Sequence, residues 1–364
     1  MGISSPRDLD AVRAGFDRWL RSWRPEARDV QVADLVPPPT GLSSETLMLE
    51  VDWDLGDGNE HASLVARLPP NGEGLFPSYD LRAQGELQLV LAGAGLPAVA
   101  PVAIEDDDGW VGDPFLLMPR VAGRVVRADR PYLRSGWLAD AQPQDQARLH
   151  AQMVEVLAAV HRVDWRRLGC DRLLDASAQA GVGAEPSGQQ SDGRLAGALE
   201  RWARYLEWAG EGTTPGVFED ALVWCRAHLP SAEPPASLLW GDPQLGNVLV
   251  ADTMSIAAIL DFELASIGPA EVDLAWFLVL HQMTVARCGG DLPGFPDRAA
   301  TVAAYEAHFG RPVADLRWYE VFAALRSGAV MVRAARLLAR LGVDGSWLTK
   351  GNPTVELLDE LMSS

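Results

Sequence analysis

Lysine is almost missing from this 364-residue chain: of 31 basic residues one, Lys350, is a lysine, and the rest are arginine. A phosphate loop of the Walker type needs a lysine directly after its glycine run, and none stands in such a place. A lysine Schiff base is unsupported for a similar reason, since Lys350 lies in a polar C-terminal segment. Cysteine is scarce too. Cys170, Cys225 and Cys288 are odd in number and far apart, which suits neither a disulfide framework nor a zinc-ligand spacing. No run of about 18 apolar residues occurs, as a membrane-spanning helix would need. The opening MGISSPRDLD lacks the apolar stretch of a signal peptide, so a cytoplasmic protein with no membrane partner is the expectation. Positive charge is in deficit, with a net charge of −19 that would repel nucleic-acid phosphates; no nucleic-acid partner is expected. The same acidity serves solubility and is compatible with a cationic small substrate.

What is present is ample core material. The hydrophobic fraction is 48% and there are 13 tryptophans. At roughly 100–200 residues per domain, the length suits two domains or one large unit with two lobes. Leu9, Val12, Phe16, Trp19, Leu20 and Trp23 recur at helical spacing and Pro25 closes the pattern, which predicts an N-terminal helix within residues 1–30. Leu47, Leu49, Val51 and Trp53 alternate as in a half-buried strand, Gly56-Asp57-Gly58-Asn59 signals a hairpin, and Ala62 to Leu68 returns. A helix over 79–92 and strands over Val99–Ile104 and Pro114–Met118 complete a small, mainly antiparallel lobe. After a connector near 118–124 the pattern turns helical, over 143–163, 194–209, 216–229, 298–309 and 317–341. Ser177 to Gly193, rich in Gly, Ser and Gln, reads as a mobile linker.

The chemistry concentrates in residues 238–277. Leu238 to Trp240 leads through Gly241 to Asp242, Asn247 follows five residues later, and Val248 to Val250 starts a hairpin whose return strand, Ile256 to Leu260, ends at Asp261. Antiparallel pairing makes Asn247 and Asp261 neighbours and brings Asp242 toward them. Two carboxylates and an amide oxygen are hard ligands of the kind that suit Mg²⁺, and a carboxylate accepts a proton. The D-x-x-x-x-N…D-F arrangement is the one used by protein-kinase-like enzymes, where positioning and charge neutralisation carry phosphoryl transfer.

With WGDPQLGNVL, ILDFELASIG and EVDLAW in hand, the chain resembles the aminoglycoside phosphotransferase-like family of the protein-kinase-like superfamily. It is most similar to the branch that includes the kinase domains fused to acyl-CoA dehydrogenases, over roughly residues 35–345. The resemblance implies an α+β, bilobal fold: a small β-rich nucleotide-binding lobe at 35–120 after the 1–30 helix, and a larger helical lobe at 125–364 with the catalytic loop and substrate site. It implies ATP and Mg²⁺ as cofactors and a small hydroxylated molecule as partner, in a monomer or homodimer. Carried over by motif, Asp242 is the catalytic base, and Asn247 and Asp261 are the metal ligands. Glu263 either orders the metal's water shell or stabilises the fold, and Asp273 braces the catalytic loop through backbone N–H groups. His161 matches a structural histidine of the family. Gly41 to Thr46, with Ser43, Ser44 and Thr46, corresponds to the nucleotide-positioning loop. Arg67 stands on the strand that presents the phosphate-gripping cation, and Glu86 is expected as its ion-pair partner. Met118, Arg120 and Val121 are expected to edge the adenine.

Two departures from the family pattern stand out: Trp240 replaces the usual histidine before Gly-Asp, and Arg67 replaces lysine, keeping the charge in a bulkier, forked group. Arg326, Arg333, Arg336 and Arg340 share one side of the last long helix and either reach an anionic substrate or form a solvated stripe. The expected activity is transfer of the ATP γ-phosphate to an alcohol group of an aminoglycoside-like or other hydroxylated metabolite. A hydroxyacyl-CoA acceptor is the alternative within the class, and a nucleotide-binding pseudokinase is the rival outside it.

Overall fold

The computed structural model describes residues 7–37, 43–54, 56, 58–126, 132–174, 194–349 and 353–363. Gly41, Asp57, Lys350 and the Ser177–Gly193 stretch lie outside the described residues.

Helix α1 (Leu9–Trp23) begins at Asp8, whose side chain accepts a hydrogen bond from Ala11 N at 3.1 Å and so satisfies one of the free N–H groups of the first turn. Its apolar stripe buries Val12, Phe16, Trp19 and Leu20, and the rings of Phe16 and Trp19 meet Phe115 edge-on at 5.0 and 5.1 Å. Phe115 belongs to a five-stranded antiparallel sheet in the order β1-β2-β3-β5-β4: β1 (Arg28–Val32), β2 (Glu45–Asp54), β3 (Asn59–Leu68), β4 (Ala103–Glu105) and β5 (Phe115–Pro119). The β2–β3 ladder runs unbroken from Glu45↔Leu68 to Asp54↔Asn59, and Leu47, Leu49 and Val51 are all buried, as the period-2 pattern requires. Helix α2 (Leu81–Gly93) packs between this sheet and the second lobe.

The second lobe is helical: α3 (Pro143–His161), the short α4 (Cys170–Leu173), α5 (Arg194–Gly210), α6 (Gly216–Ala227), α7 (Glu271–Cys288), α8 (Arg298–Phe309), α9 (Arg317–Arg340) and α10 (Pro353–Ser363). Two small sheets are set among them: β6 (Arg124–Val125) with β8 (Val248–Val250) and β9 (Ile256–Ile259), and β7 (Ala236–Leu239) with β10 (Ser266–Pro269). The α+β, bilobal arrangement is the one expected. Three elements are additions to it. Strand β1 and strand β10 have only short inward patterns, and α7 is apolar on most sides, so neither strand nor helix shows a clear period.

The core divides the same way. One cluster joins α1 to the sheet, and a larger one fills the helical lobe. A third, small cluster of Val99, Met118 and Ala258 lies between sheet and hairpin, packed by Val65, Val121, Leu249 and Leu260. The connection is fixed by Ile259 N donating to Pro97 O at 2.7 Å. Cys170, Cys225 and Cys288 are free and buried, and burial pushes the Cys170 thiol up to about 11, away from reactivity. No described helix is long and apolar enough to cross a membrane.

His150 on α3 is 4% exposed, against the rings of Phe277 and Phe295. Burial, and secondarily His281, pushes it down to about 4, with Asp291 opposing. Between that value and the ordinary 6.5 the unfolded chain takes up a proton that the folded chain refuses, so stability falls as pH falls through this window. The expected loss from this group is about 2 kcal/mol between pH 7.5 and pH 5. Urea denaturation at both pH values checks it: His150→Gln should lose less on acidification than the wild type by about that amount.

Candidate active site

Strand β7 delivers the chain to Trp240-Gly241-Asp242 through a turn that only glycine accommodates. Gly241 has φ +94°, and a Cβ there would lie 2.1 Å from Leu264 O. Asp273, in the first turn of α7 and fully buried, holds this turn. Its carboxylate accepts from Trp240 N at 2.6 Å and Gly241 N at 3.2 Å, and it faces His161 Nε2 at 3.2 Å. His161 meets Tyr305 Oη through its other nitrogen, at 2.6 Å. Trp240, in place of the histidine, is fully buried and donates its indole N–H to Leu260 O at 2.8 Å, tying the catalytic loop to the end of the hairpin.

Asp242 then sits among three donors. Trp276 Nε1 reaches its Oδ1 at 2.6 Å, while Gln244 Nε2 and Asn247 Nδ2 both reach Oδ2 at 2.7 Å. Burial pushes Asp242 up to about 6, the charge of Asp261 adds to that, and the three hydrogen bonds oppose it by favouring the ionised form. Asn247 closes a one-turn 3₁₀ segment, Leu245–Asn247, and its amide nitrogen also donates to Asp242 O at 3.0 Å. That leaves the amide oxygen as the atom available to a cation.

The hairpin pairs Val248 with Ile259, and Leu260 N donates to Asn247 O at 2.8 Å, so Asn247 and Asp261 are brought side by side as expected. Asp261 has φ +65°, a left-handed conformation that aspartate tolerates better than most residues and that marks a position held by its surroundings. Its Oδ1 accepts from Arg67 Nη2 at 2.8 Å, across the two lobes. The same nitrogen lies 3.4 Å from Glu263 Oε2 and 3.4 Å from Ser44 Oγ. Burial works against the Arg67 charge, and Asp261 and Glu263 outweigh it, holding the guanidinium above its usual range. Burial and Asp261 raise Glu263, which Arg67 and a hydrogen bond from Ser43 partly offset. Thr46 is the ladder partner of Arg67, placing Ser43, Ser44 and Thr46 at the mouth of the same cluster.

Three expectations fail. Glu86 is not the partner of Arg67: it forms an i,i+4 pair with Arg82 at 3.2 Å, since α2 turns Leu81, Gln84, Leu87, Gln88 and Leu91 inward and Glu86 away from them. Arg120 offers no free N–H toward an adenine, because the ladder continues one residue past β5 and that N–H donates to Ser63 O at 2.9 Å; its side chain pairs with Glu50. Met118 and Val121 remain against the small apolar cluster. The arginine stripe of α9 is neither solvated nor uniform. Arg333 binds Glu73, Glu211 and Gly74 O, Arg336 binds Gly210 O and Thr213 O, and Arg340 pairs with Glu73 and Glu211. Trp276 and Gln244 are contacts of Asp242 that motif matching passed over. Trp276 lies at i+3 from Asp273 on α7, one helical face for both, and that spacing was readable.

A β-rich lobe facing a helical lobe across two carboxylates, an amide and a cation is the construction of a phosphotransferase of the protein-kinase-like class. The chain belongs to the Phosphotransferase enzyme family, whose model matches residues 51–322. Among curated relatives, mouse acyl-CoA dehydrogenase family member 10 is 22% identical over 74% of this chain, and chicken acyl-CoA dehydrogenase family member 11 is 27% identical over 58%. In each case the match covers 24% of the relative, so the chain spans about a quarter of those proteins. Among solved structures, a putative aminoglycoside phosphotransferase from Ralstonia eutropha JMP134 aligns with a TM-score of 0.68 at 20% identity, covering 96% of this chain and 97% of that one. A ternary complex of aminoglycoside phosphotransferase APH(4)-Ia with AMP-PNP and hygromycin B gives 0.56 at 16% identity, covering 95% and 97%. Plasmodium vivax ethanolamine kinase gives 0.52 at 11% identity, covering 92% and 82%.

Proposed function

We propose that the protein transfers the γ-phosphoryl group of ATP to a hydroxyl of a small molecule, with Mg²⁺ as the metal. The observation that carries this reading is the convergence of Asp242, Asn247, Asp261 and Arg67 in one buried cluster between the lobes. Asp242 orients the acceptor hydroxyl and takes its proton. The hydroxyl oxygen forms the new bond to the γ-phosphorus while the bond to the bridging oxygen breaks, and ADP leaves with that electron pair. An ordinary aspartate is too weak a base for this role, and burial brings Asp242 nearer to neutral pH.

Asn247 and Asp261 fit magnesium, which takes one or two protein oxygens and completes its shell with phosphates and water. Among the described residues no three His, Cys, Asp or Glu side chains form a closed metal cage, and such a site does not need one. Bound there, the ion neutralises phosphate charge. Arg67 grips the same phosphates, and the apolar cluster around Met118, Val65 and Leu249 suits the face of a purine. The division of labour follows the lobes: nucleotide on 35–120, catalysis and acceptor on 125–364.

Arg67→Ala is expected to raise the KM for ATP about tenfold or more, since it removes a charge-assisted contact and leaves Asp261 and Glu263 unneutralised. Arg67→Lys keeps the charge and loses the fork, so its KM should fall between those of wild type and Ala. An unchanged KM in Arg67→Ala refutes the assignment. The overall reading is tested by label transfer from [γ-³²P]ATP across aminoglycosides, hydroxylated metabolites and hydroxyacyl-CoAs, the last class favoured by the acyl-CoA dehydrogenase relatives. Label in an acceptor, absent with Asp242→Asn, supports it. Nucleotide binding with turnover no greater than in Asp242→Asn favours the pseudokinase, the reading left open by the changes at Trp240 and Arg67.

A further inference from the structure

A cleft of about 600 Å³, open to solvent on one side, lies against the catalytic turn between α5, β10 and α9. Its walls include Trp202, Leu264 and Phe322 and three arginines, Arg194, Arg201 and Arg326. In a chain of net charge −19 that concentration of positive charge is unexpected.

Arg326 is the centre of the feature. It is 4% exposed and its guanidinium lies over the rings of Trp276 at 4.5 Å and Trp202 at 5.0 Å. One nitrogen, Nη2, donates to Gly241 O at 3.1 Å, the carbonyl directly before Asp242. Nε and Nη1 are buried and have no hydrogen-bond partner among the described residues. A buried donor left unmatched is costly, and here two belong to one cation that faces no carboxylate in salt-bridge contact. Burial pushes Arg326 down to about 10, which leaves it charged at neutral pH. Arg201, on the facing helix, repeats the pattern: burial and then the like charge of Arg204 push it below its usual range. The one carboxylate on the wall, Asp273, is committed to the N–H groups of Trp240 and Gly241 and to His161. The other arginines of α9 are paired with Glu73 and Glu211 or with backbone carbonyls, so Arg326 stands apart from them in lacking an anion.

We infer that the phosphate acceptor carries an oxyanion, a carboxylate or a phosphate monoester, received by Arg326 and Arg201 in this cleft with its hydroxyl turned toward Asp242. The inference rests on the kinase reading above and adds the acceptor's charge. It points away from a polycationic acceptor, which three arginines would repel. The apolar walls set the body of the acceptor as hydrocarbon rather than sugar.

The test uses the full chain with ATP and Mg²⁺ and two arms of probes, straight-chain hydroxy acids and hydroxyalkyl phosphates, each beside its methyl ester and the matching amino alcohol. Phosphoryl transfer is followed by ADP release, and binding by calorimetry in the presence of ADP and Mg²⁺. One arm is expected to be turned over, with esterification raising KM about tenfold or more. Arg201→Gln should raise KM for the anionic acceptor by a similar factor without moving that of its ester, and Arg201→Glu should raise it further. Arg326→Lys serves beside it, because Arg326 also holds Gly241 O and larger changes disturb the turn. The more productive arm tells carboxylate from phosphate. Equal KM for acid and ester, better turnover of amino alcohols, or nucleotide binding without transfer to or binding of any anionic probe overturns the acceptor assignment and leaves the kinase reading standing. Failure to bind ATP overturns the kinase reading instead.

Discussion

Asp242→Asn is expected to lower kcat by about 10³-fold, the usual worth of a positioned general base, while nucleotide affinity changes little. The separation follows from the geometry. Asp242 is held by Trp276, Gln244 and Asn247, whereas the groups assigned to the nucleotide are Arg67, Asp261 and the apolar cluster under Met118. Asparagine offers an amide nitrogen to Gln244 and Asn247, both of which donate, so the variant also loosens Asn247. Asp242→Ala removes that conflict and is the second variant to measure. Both should bind ATP and neither should turn it over above background. Loss of ATP binding in both would mean that Asp242 serves the architecture of the site, and near-normal kcat in either would remove it from the chemistry.

Asp273→Ala is expected to cost about 3–5 kcal/mol of folding stability. Its carboxylate is fully buried and accepts the N–H groups of Trp240 and Gly241, neither of which has another partner in prospect, and it faces His161. Alanine leaves two buried donors unmet in a turn that already holds a glycine at φ +94°. Asp273→Asn retains one acceptor oxygen and should lose less, about 1–3 kcal/mol. Urea denaturation measures both, and a loss under about 1 kcal/mol in Asp273→Ala would show that the turn is held by other contacts. A folded Asp273→Asn with reduced kcat and unchanged KM for ATP is the further expectation, because the turn it braces carries Asp242.

The sequence was most legible where chemistry and local geometry coincide. Asp242, Asn247 and Asp261 are joined by a turn, a single 3₁₀ turn and a hairpin, so spacing alone carried them to one place. The β2–β3 hairpin was legible for a similar reason, its alternation running ten residues on each strand. Long-range pairings were less so. Glu86 follows the motif of its relatives, yet the spacing of Leu81, Leu87 and Leu91 already put positions 82 and 86 on the other face of α2. Asp261 and Glu263 take up Arg67 because the two lobes meet there, which no local pattern encodes. The arginines of α9 share a face in sequence, but Glu73 and Glu211 come from distant segments to claim three of that face's residues, and Arg326, one stretch further up the helix, is left to the tryptophans. Helix α7 hid because it is buried on nearly every side and so has no polar stripe to set a period.

The central claim is that the cleft between the sheet and the β8–β9 hairpin is a nucleotide–magnesium site. Calorimetric titration of the wild-type chain with ATP, with and without Mg²⁺, beside Asp261→Ala, tests it most directly. Saturable one-to-one binding that strengthens with Mg²⁺, and loses that strengthening in Asp261→Ala, is the predicted result. Absence of binding, or binding indifferent to both the metal and Asp261, would contradict it.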